Sequence, residues 1–452
     1  MKKKNIYITG LLTCVATLIT TSCNKFVNTP LPINSITATS VFNNDAGITG
    51  AVDGAYNAIN NIASTQTTFG VLFSDEVTYL NANNSFLSAE DNTYDPTSIN
   101  DYGFFTNYYT AIYQANAIIG ALTQPGAVND ATATQAKGEA YFIRAYCHFQ
   151  LVNFYGNVPL ITTTDVNTTA LEGNTPEATT YTAMISDLKT AYGLLTASYP
   201  TASRVRVNSY AAAALLAKVY LYDKDYVDAE AQASIVINSG TYSLPTDLTT
   251  VFLIGSNETI WQLYNLNTYT PVGQTFIPLP TTSVIYQVTP GLLNAFEPND
   301  KRMAAWVKAG TGAAATTYYP YKYKQRSTTS GASIEYLVEL RLADEYLIRS
   351  EARAQQNNLT GSLTDLNVIR TRAGLPNAVS TSQSDLLLKI EQERRIEMSF
   401  ENANRWFDLN RTGRTSYWLS PIKPTFTTKA ELLPYPESQL IANPNLKQNP
   451  GY

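Results

Sequence analysis

The chain has 452 residues, a formal net charge of −5 and 36 Asp plus Glu against 31 Lys plus Arg. That balance offers no basic face for nucleic acid. The length supports a sizeable core in one large domain or two ordinary ones.

The first element is an export leader. Lys2, Lys3 and Lys4 precede an apolar stretch from Ile6 to Ile19 that ends in Thr20-Thr21-Ser22-Cys23. About 14 residues is too short for a bilayer, which takes about 20. A cysteine directly after small Ser22 resembles the processing site of bacterial lipoproteins, so residues 1–22 are read as signal peptide and Cys23 as the lipidated first residue of the mature chain. Three lysines leave with the leader, which takes the charge from −5 to −8. Cys14 leaves too and Cys23 is acylated, so Cys147 remains alone and no intrachain disulfide is expected. One acyl chain binds membranes only weakly, so durable attachment needs a multiply acylated cysteine.

A tether over 23–39, with Pro30 and Pro32, leads to a helix over Asp45–Ile59, where Val52, Tyr56 and Ile59 share a face. From Thr65 to Asn100 the helical period disappears among Asn, Ser, Asp and aromatic residues, a stretch long enough to pack as an irregular layer or to carry function. Helices return over Tyr102–Leu122 and Thr132–Asn153, and Gly156-Asn157-Val158-Pro159 stops the second. Further helices are expected at Pro176–Leu195, Asn208–Tyr222 and Tyr226–Asn238. The junction from Ala211 through Tyr222 and Asp223-Lys224 to Tyr226 and Ala229 resembles a tetratricopeptide unit, and such units must stack on one another. A second helical block follows at Arg341–Gln356, Ser362–Arg372 and Asp385–Ser399.

Between the blocks, Glu258–Leu263 alternates as a short strand, Thr275–Pro280 reads as extended, and Gly310–Thr317 as a Gly-Ala-Thr loop beside Trp306 and Tyr318. The 31 Tyr residues favour contact with sugar rings, whose CH faces stack on aromatic rings while their hydroxyls seek amides and carboxylates. The expected ligand contacts are Asp75, Tyr79, Asn81, Phe86 and Tyr94 from the early irregular stretch, with Tyr269, Tyr286, Trp306 and Tyr318 from the later one. In an extended segment Tyr79 and Asn81 point to one face, and the loop beside Trp306 offers a cover for a bound sugar.

Catalytic chemistry is sparse. The single histidine, His148, sits within a helical pattern without metal-ligand spacing, so it reads as a packing residue, and no metal or cofactor is expected. Glycoside hydrolysis needs two carboxylates flanking one bond. Asp75 and Glu76 are adjacent and would point to opposite faces of an extended chain, so a binding protein is expected and not an enzyme. The late charges, including Glu391, Arg394, Arg395, Glu401 and Arg405, read as a surface network of helical-spacing pairs.

The run Glu393-Arg394-Arg395-Ile396-Glu397-Met398-Ser399-Phe400-Glu401, then Arg405-Trp406-Phe407-Asp408-Leu409, resembles the late signature of the SusD/RagB family. Leu433-Pro434-Tyr435-Pro436 and Gln448-Asn449-Pro450-Gly451-Tyr452 resemble its ending, while Glu139–Tyr146, Leu151–Gly156 and Arg341–Ala352 resemble its earlier helical signatures. The resemblance implies a predominantly α, SusD-like fold with four tetratricopeptide-like helix pairs and an irregular ligand-binding lobe. Residues 40–452 then form a single domain, with a helical core over 40–240 and 334–410, an inserted lobe over 241–333 and an irregular C-terminal segment over 411–452. It also implies a lipid-anchored, surface-facing outer-membrane protein that captures an oligosaccharide for a SusC-like TonB-dependent transporter. The alternative is a tetratricopeptide-like structural or docking lipoprotein without glycan binding.

Overall fold

The longest helix, α1 (Asp45–Phe73), begins where the Asn44 side chain accepts the Gly47 N–H at 2.9 Å, and it continues well past the Ile59 end expected from the sequence. The run Ser64-Thr65-Gln66-Thr67-Thr68 hides the helical period, but its hydroxyls bond back along the helix: Thr67 to Ala63 O at 3.1 Å and Thr68 to Ser64 O at 2.9 Å. Buried Gln66 donates to Gln150 at 2.8 Å and to Asn402 O at 3.0 Å, so an uncharged polar face packs inside. The computed structural model describes residues 41–124, 127–128, 130–280, 282–311 and 315–452; the leader, Cys23 and the tether lie outside the described residues.

The molecule is predominantly helical. After α1 come α2 (Phe104–Thr123), α3 (Ala131–Tyr155), α4 (Glu177–Leu194), α5 (Ser209–Tyr222) and α6 (Tyr226–Asn238). The late block holds α7 (Leu342–Gln355), α8 (Leu359–Ala373), α9 (Gln383–Glu397) and α10 (Asn404–Arg411). Side-chain caps open many of them, as where Asp130 accepts from Ala133 and Asn208 from Ala211. Each helix from α1 to α8 packs on the next, and α7 sits directly on α6, so the two blocks form one continuous array. All of α5 except half-buried Tyr210 is buried, and a separate small core of Leu347, Leu366, Ile369, Leu386 and Ile390 binds α7, α8 and α9 together. No helix among the described residues is long and apolar enough to cross a membrane.

Two short antiparallel pairs tie the lobe to this array, β1 (Val77–Tyr79) with β3 (Tyr286–Val288) and β2 (Thr259–Leu263) with β6 (Leu337–Arg341), and β4 (Val307–Ala309) pairs with β5 (Tyr318–Pro320) within the lobe. The Thr275–Pro280 stretch departs from its extended expectation. Thr270 caps a short helix over Pro271–Phe276 by accepting the Gly273 N–H at 2.9 Å, and extended chain begins only at Ile277.

The late charges also depart from expectation: apart from half-buried Glu391 they are buried, and they pair at long range. Arg341 reaches Glu258 at 2.8 Å, Glu397 at 2.7 Å and Glu401 at 2.8 Å, while Arg302 joins Asp300 at 2.8 Å and Glu393 at 2.5 Å. Arg394 bridges Asp344 at 2.9 Å and Asp408 at 2.8 Å. Buried ions persist only where each has partners, and here the partners come from the lobe, α7, α9 and α10, which sequence spacing does not display. His148 is buried, with Nδ1 donating to Arg144 O at 2.9 Å, and burial lowers its pKa to about 3, so it is neutral.

Candidate functional site

Where α1 ends, Ser74, Asp75 and Glu76 run inside the protein before β1 emerges. Asp75 is 2 % exposed, and its oxygens are taken by Arg405 Nε at 2.8 Å and Arg395 Nη2 at 2.7 Å. Burial alone would raise its pKa, but the charges of Arg405 and Arg395 prevail and hold it below the ordinary aspartate value. Asp75 is therefore a structural ion and not an open acceptor for a ligand. Glu76 turns the other way, accepting the Phe400 N–H at 2.7 Å and the Ser74 hydroxyl at 3.0 Å.

Strand β1 pairs with β3 so that Tyr79 lies opposite Tyr286. Their ring centroids are 5.3 Å apart; Phe86 stands 5.2 Å from Tyr79 and 6.3 Å from Tyr286, and Phe276 stands 5.2 Å from Tyr286. The rings of Tyr79 and Tyr286 are mostly buried, and Phe86 is half-buried. The ladder extends past β1 through Leu80 N–H to Ile285 O at 2.8 Å. It turns Leu80 outward at 51 % exposure and places exposed Asn81 two residues beyond Tyr79. Asn81 Oδ1 accepts the Ala82 N–H at 2.8 Å, and Asn83 caps the short helix Asn84–Glu90 that carries Phe86. Strand β5, which carries half-buried Tyr318, packs beside β3.

Tyr79, Phe86 and Tyr286 thus meet at one place, with Asn81 two residues along the chain and Tyr318 on the neighbouring strand, although they come from segments about two hundred residues apart. The other expected contacts lie elsewhere. Tyr94 is a core residue, its hydroxyl accepting from Asn92 Nδ2 at 2.6 Å and its ring edge-on to Phe73. Trp306 is 0 % exposed; its indole N–H donates to Leu248 O at 3.1 Å and Lys322 Nζ sits 4.3 Å from the ring centroid. It offers no face to solvent, so the loop beside it closes over nothing that Trp306 presents. Half-buried Tyr269 lies on the turn after β2, its carbonyl accepting Asn265 Nδ2 at 2.6 Å. The sequence reading missed exposed Leu80 and Leu279, the latter on the segment leading away from Phe276. Single exposed leucines carry no sequence signal.

The aromatic platform is anchored from behind by a half-buried carboxylate. Glu90, half-buried, accepts the Tyr79 N–H at 3.0 Å and is raised by burial, and Lys423 donates to Phe73 O at 3.1 Å with burial lowering its pKa to about 7. Tyr79 and Tyr286 are as enclosed as Tyr94, so the faces this surface offers are those of half-buried Phe86 and exposed Leu80, beside the exposed Asn81 amide. A larger cleft of about 540 Å³ lies between α5, α6, α9 and α10, but none of the expected contacts lines it. Within its wall Arg411 reaches Glu351 at 2.5 Å and Arg394 reaches Asp408 at 2.8 Å.

Comparisons with known proteins fit this architecture. A family model described as starch-binding, associating with outer membrane, matches residues 32–221, and the SusD family model matches residues 301–452. SusD-like protein P2 of Formosa agariphila is 26 % identical over 100 % of both chains, and a SusD-like protein of Bacteroides ovatus is 24 % identical over 77 % of this chain and 80 % of its own. Among solved structures, a SusD superfamily protein from Bacteroides vulgatus superimposes with a TM-score of 0.81 at 21 % identity, covering 91 % of this chain and 100 % of that one. A laminarin-binding SusD-like protein does so with a TM-score of 0.78 at 22 % identity, covering 90 % and 100 %.

Proposed function

This chain belongs to the SusD/RagB family, and from that premise we propose that it is a glycan-binding lipoprotein of the outer membrane that captures an oligosaccharide and delivers it to a SusC-like TonB-dependent transporter. The observation that carries the reading is the β1–β3 pairing, which gathers Tyr79, Phe86 and Tyr286 beneath a surface bearing Asn81. Aromatic rings beside amides suit sugars, whose apolar faces stack while their hydroxyls bond to polar edges. Binding, and not bond cleavage, is the role, because Asp75 and Glu76 are consumed by internal partners. The laminarin-binding neighbour of the same fold supports the ligand class.

A lone tethered binder holds a glycan but does not move it across a membrane, so the reading includes a barrel transporter as partner. In this reading a lipid on Cys23 would anchor the chain in the outer membrane, with the protein on the cell surface. The test is a glycan array probed with the mature protein, followed by titration of each positive and by copurification after mild detergent extraction. A blank array with recovery only as a monomer would replace this reading with that of a helical docking lipoprotein. Shortening of a bound glycan by the pure protein would reverse the assignment as a non-enzyme.

A further inference from the structure

We infer that the chain carries a second sugar-binding cleft, remote from the β1–β3 platform, at the junction of α1 with the end of β2; this inference rests on the reading of the protein as a glycan binder. The cleft has a volume of about 410 Å³, room for one or two pyranose rings. Asp53, Asn57 and Asn60 line it from α1 at positions i, i+4 and i+7, a spacing that puts all three on one helix face. Tyr264 closes the other side with 52 % of its surface exposed. From Asn60 to the end of α1 at Phe73 is about 20 Å at the helical rise, so the cleft and the platform are separate places.

The arrangement is built and held. An edge-to-face contact with Tyr336, centroids 5.5 Å apart, fixes the Tyr264 ring, and Asn60 Nδ2 anchors the Tyr264 carbonyl at 2.8 Å. Arg206 forms part of the wall and is locked by Glu139, Nε to Oε2 at 3.0 Å and Nη2 to Oε1 at 2.7 Å. Other polar groups here remain open. The Asn57 side chain is exposed, and the buried Thr201 hydroxyl beside the cleft has no hydrogen-bond partner among the described residues. A tyrosine lining the same cleft as an aspartate and two asparagines matches a neutral pyranose, which offers one CH face for stacking and hydroxyls on its edge. Such a ligand would leave the Arg206–Glu139 pair intact.

Saturation-transfer NMR on the mature chain with methyl β-D-glucopyranoside and methyl β-D-galactopyranoside in millimolar excess tests the assignment. The expected result is transfer from at least one sugar, falling about threefold to tenfold in Tyr264→Ala and in Asn57→Ala. Both substituted side chains are exposed, so the fold is retained, and circular dichroism checks it. Transfer unchanged in the Tyr264 and Asn57 variants overturns the cleft and leaves the platform standing. No transfer from either sugar while the array is positive also overturns the cleft. No transfer together with a blank array removes the glycan-binding reading itself.

Discussion

Asp75 and Arg405, 330 residues apart in sequence, meet inside the protein with Oδ1 2.8 Å from Nε, and Arg395 closes on the other carboxylate oxygen at 2.7 Å. This triad ties the exit of α1 to α9 and α10. Asp75→Asn should leave two buried guanidinium groups short of a counter-charge and destabilise the fold by about 3–5 kcal/mol. Urea denaturation followed by circular dichroism measures it; a loss below about 1 kcal/mol would mean that the pair contributes little.

Glu339 supplies a pH dependence of defined sign. Its Oε2 accepts the Tyr146 hydroxyl at 2.7 Å, Oε1 is buried without a partner among the described residues, and burial raises the pKa from the ordinary 4.5 to about 7. In that interval the folded protein keeps a proton that the unfolded chain has released, so stability falls as pH rises from 4.5 to about 7 and levels off above. Glu339→Gln should remove this slope, up to about 3 kcal/mol across the interval. Denaturation midpoints at several pH values decide it, and parallel profiles for the variant and the wild type would count against it.

Gly70 lies within α1 where the chain passes closest to α10: a Cβ there would stand 2.5 Å from Cα and Cβ of Ala403, the residue preceding α10. Mid-helix glycine to alanine ordinarily gains about 0.5–1 kcal/mol. Gly70→Ala should instead lose about 1–3 kcal/mol from overpacking. A raised melting temperature would show that the two helices separate without strain.

At the β1–β3 platform, Asn81→Ala should weaken oligosaccharide binding about threefold to tenfold while leaving the melting temperature within about one degree, because the side chain is exposed. Trp306→Ala should do the opposite and cost about 3–5 kcal/mol of stability, since its ring is enclosed. Titration calorimetry paired with thermal melts separates the two classes of effect.

Cys23→Ala should move the protein from the membrane fraction to the soluble one and remove the lipid mass from the mature chain. Mass spectrometry and fractionation report on this directly, and an unchanged distribution would place the attachment elsewhere.

The sequence by itself determined the helical character, the order of the two blocks and the family, because amphipathic period, caps and signature runs are written within a few turns of chain. Leu366 and Ile369, and Leu386 and Ile390, are spaced at helical intervals, and all four lie in the small core. It missed the last fourteen residues of α1 because a Ser-Thr-Gln run looks polar until its hydroxyls are seen bonding to the preceding turn. Only the tertiary structure decided which aromatic and charged residues face outward. Asp75 and Trp306 sit in polar, aromatic surroundings like those of Asn81 and Tyr79, yet the partners that enclose them, Arg405 and Arg395 in one case and Leu248 and Lys322 in the other, arrive from distant elements. Burial of an ion or an indole depends on such long-range partners, and no local period encodes them.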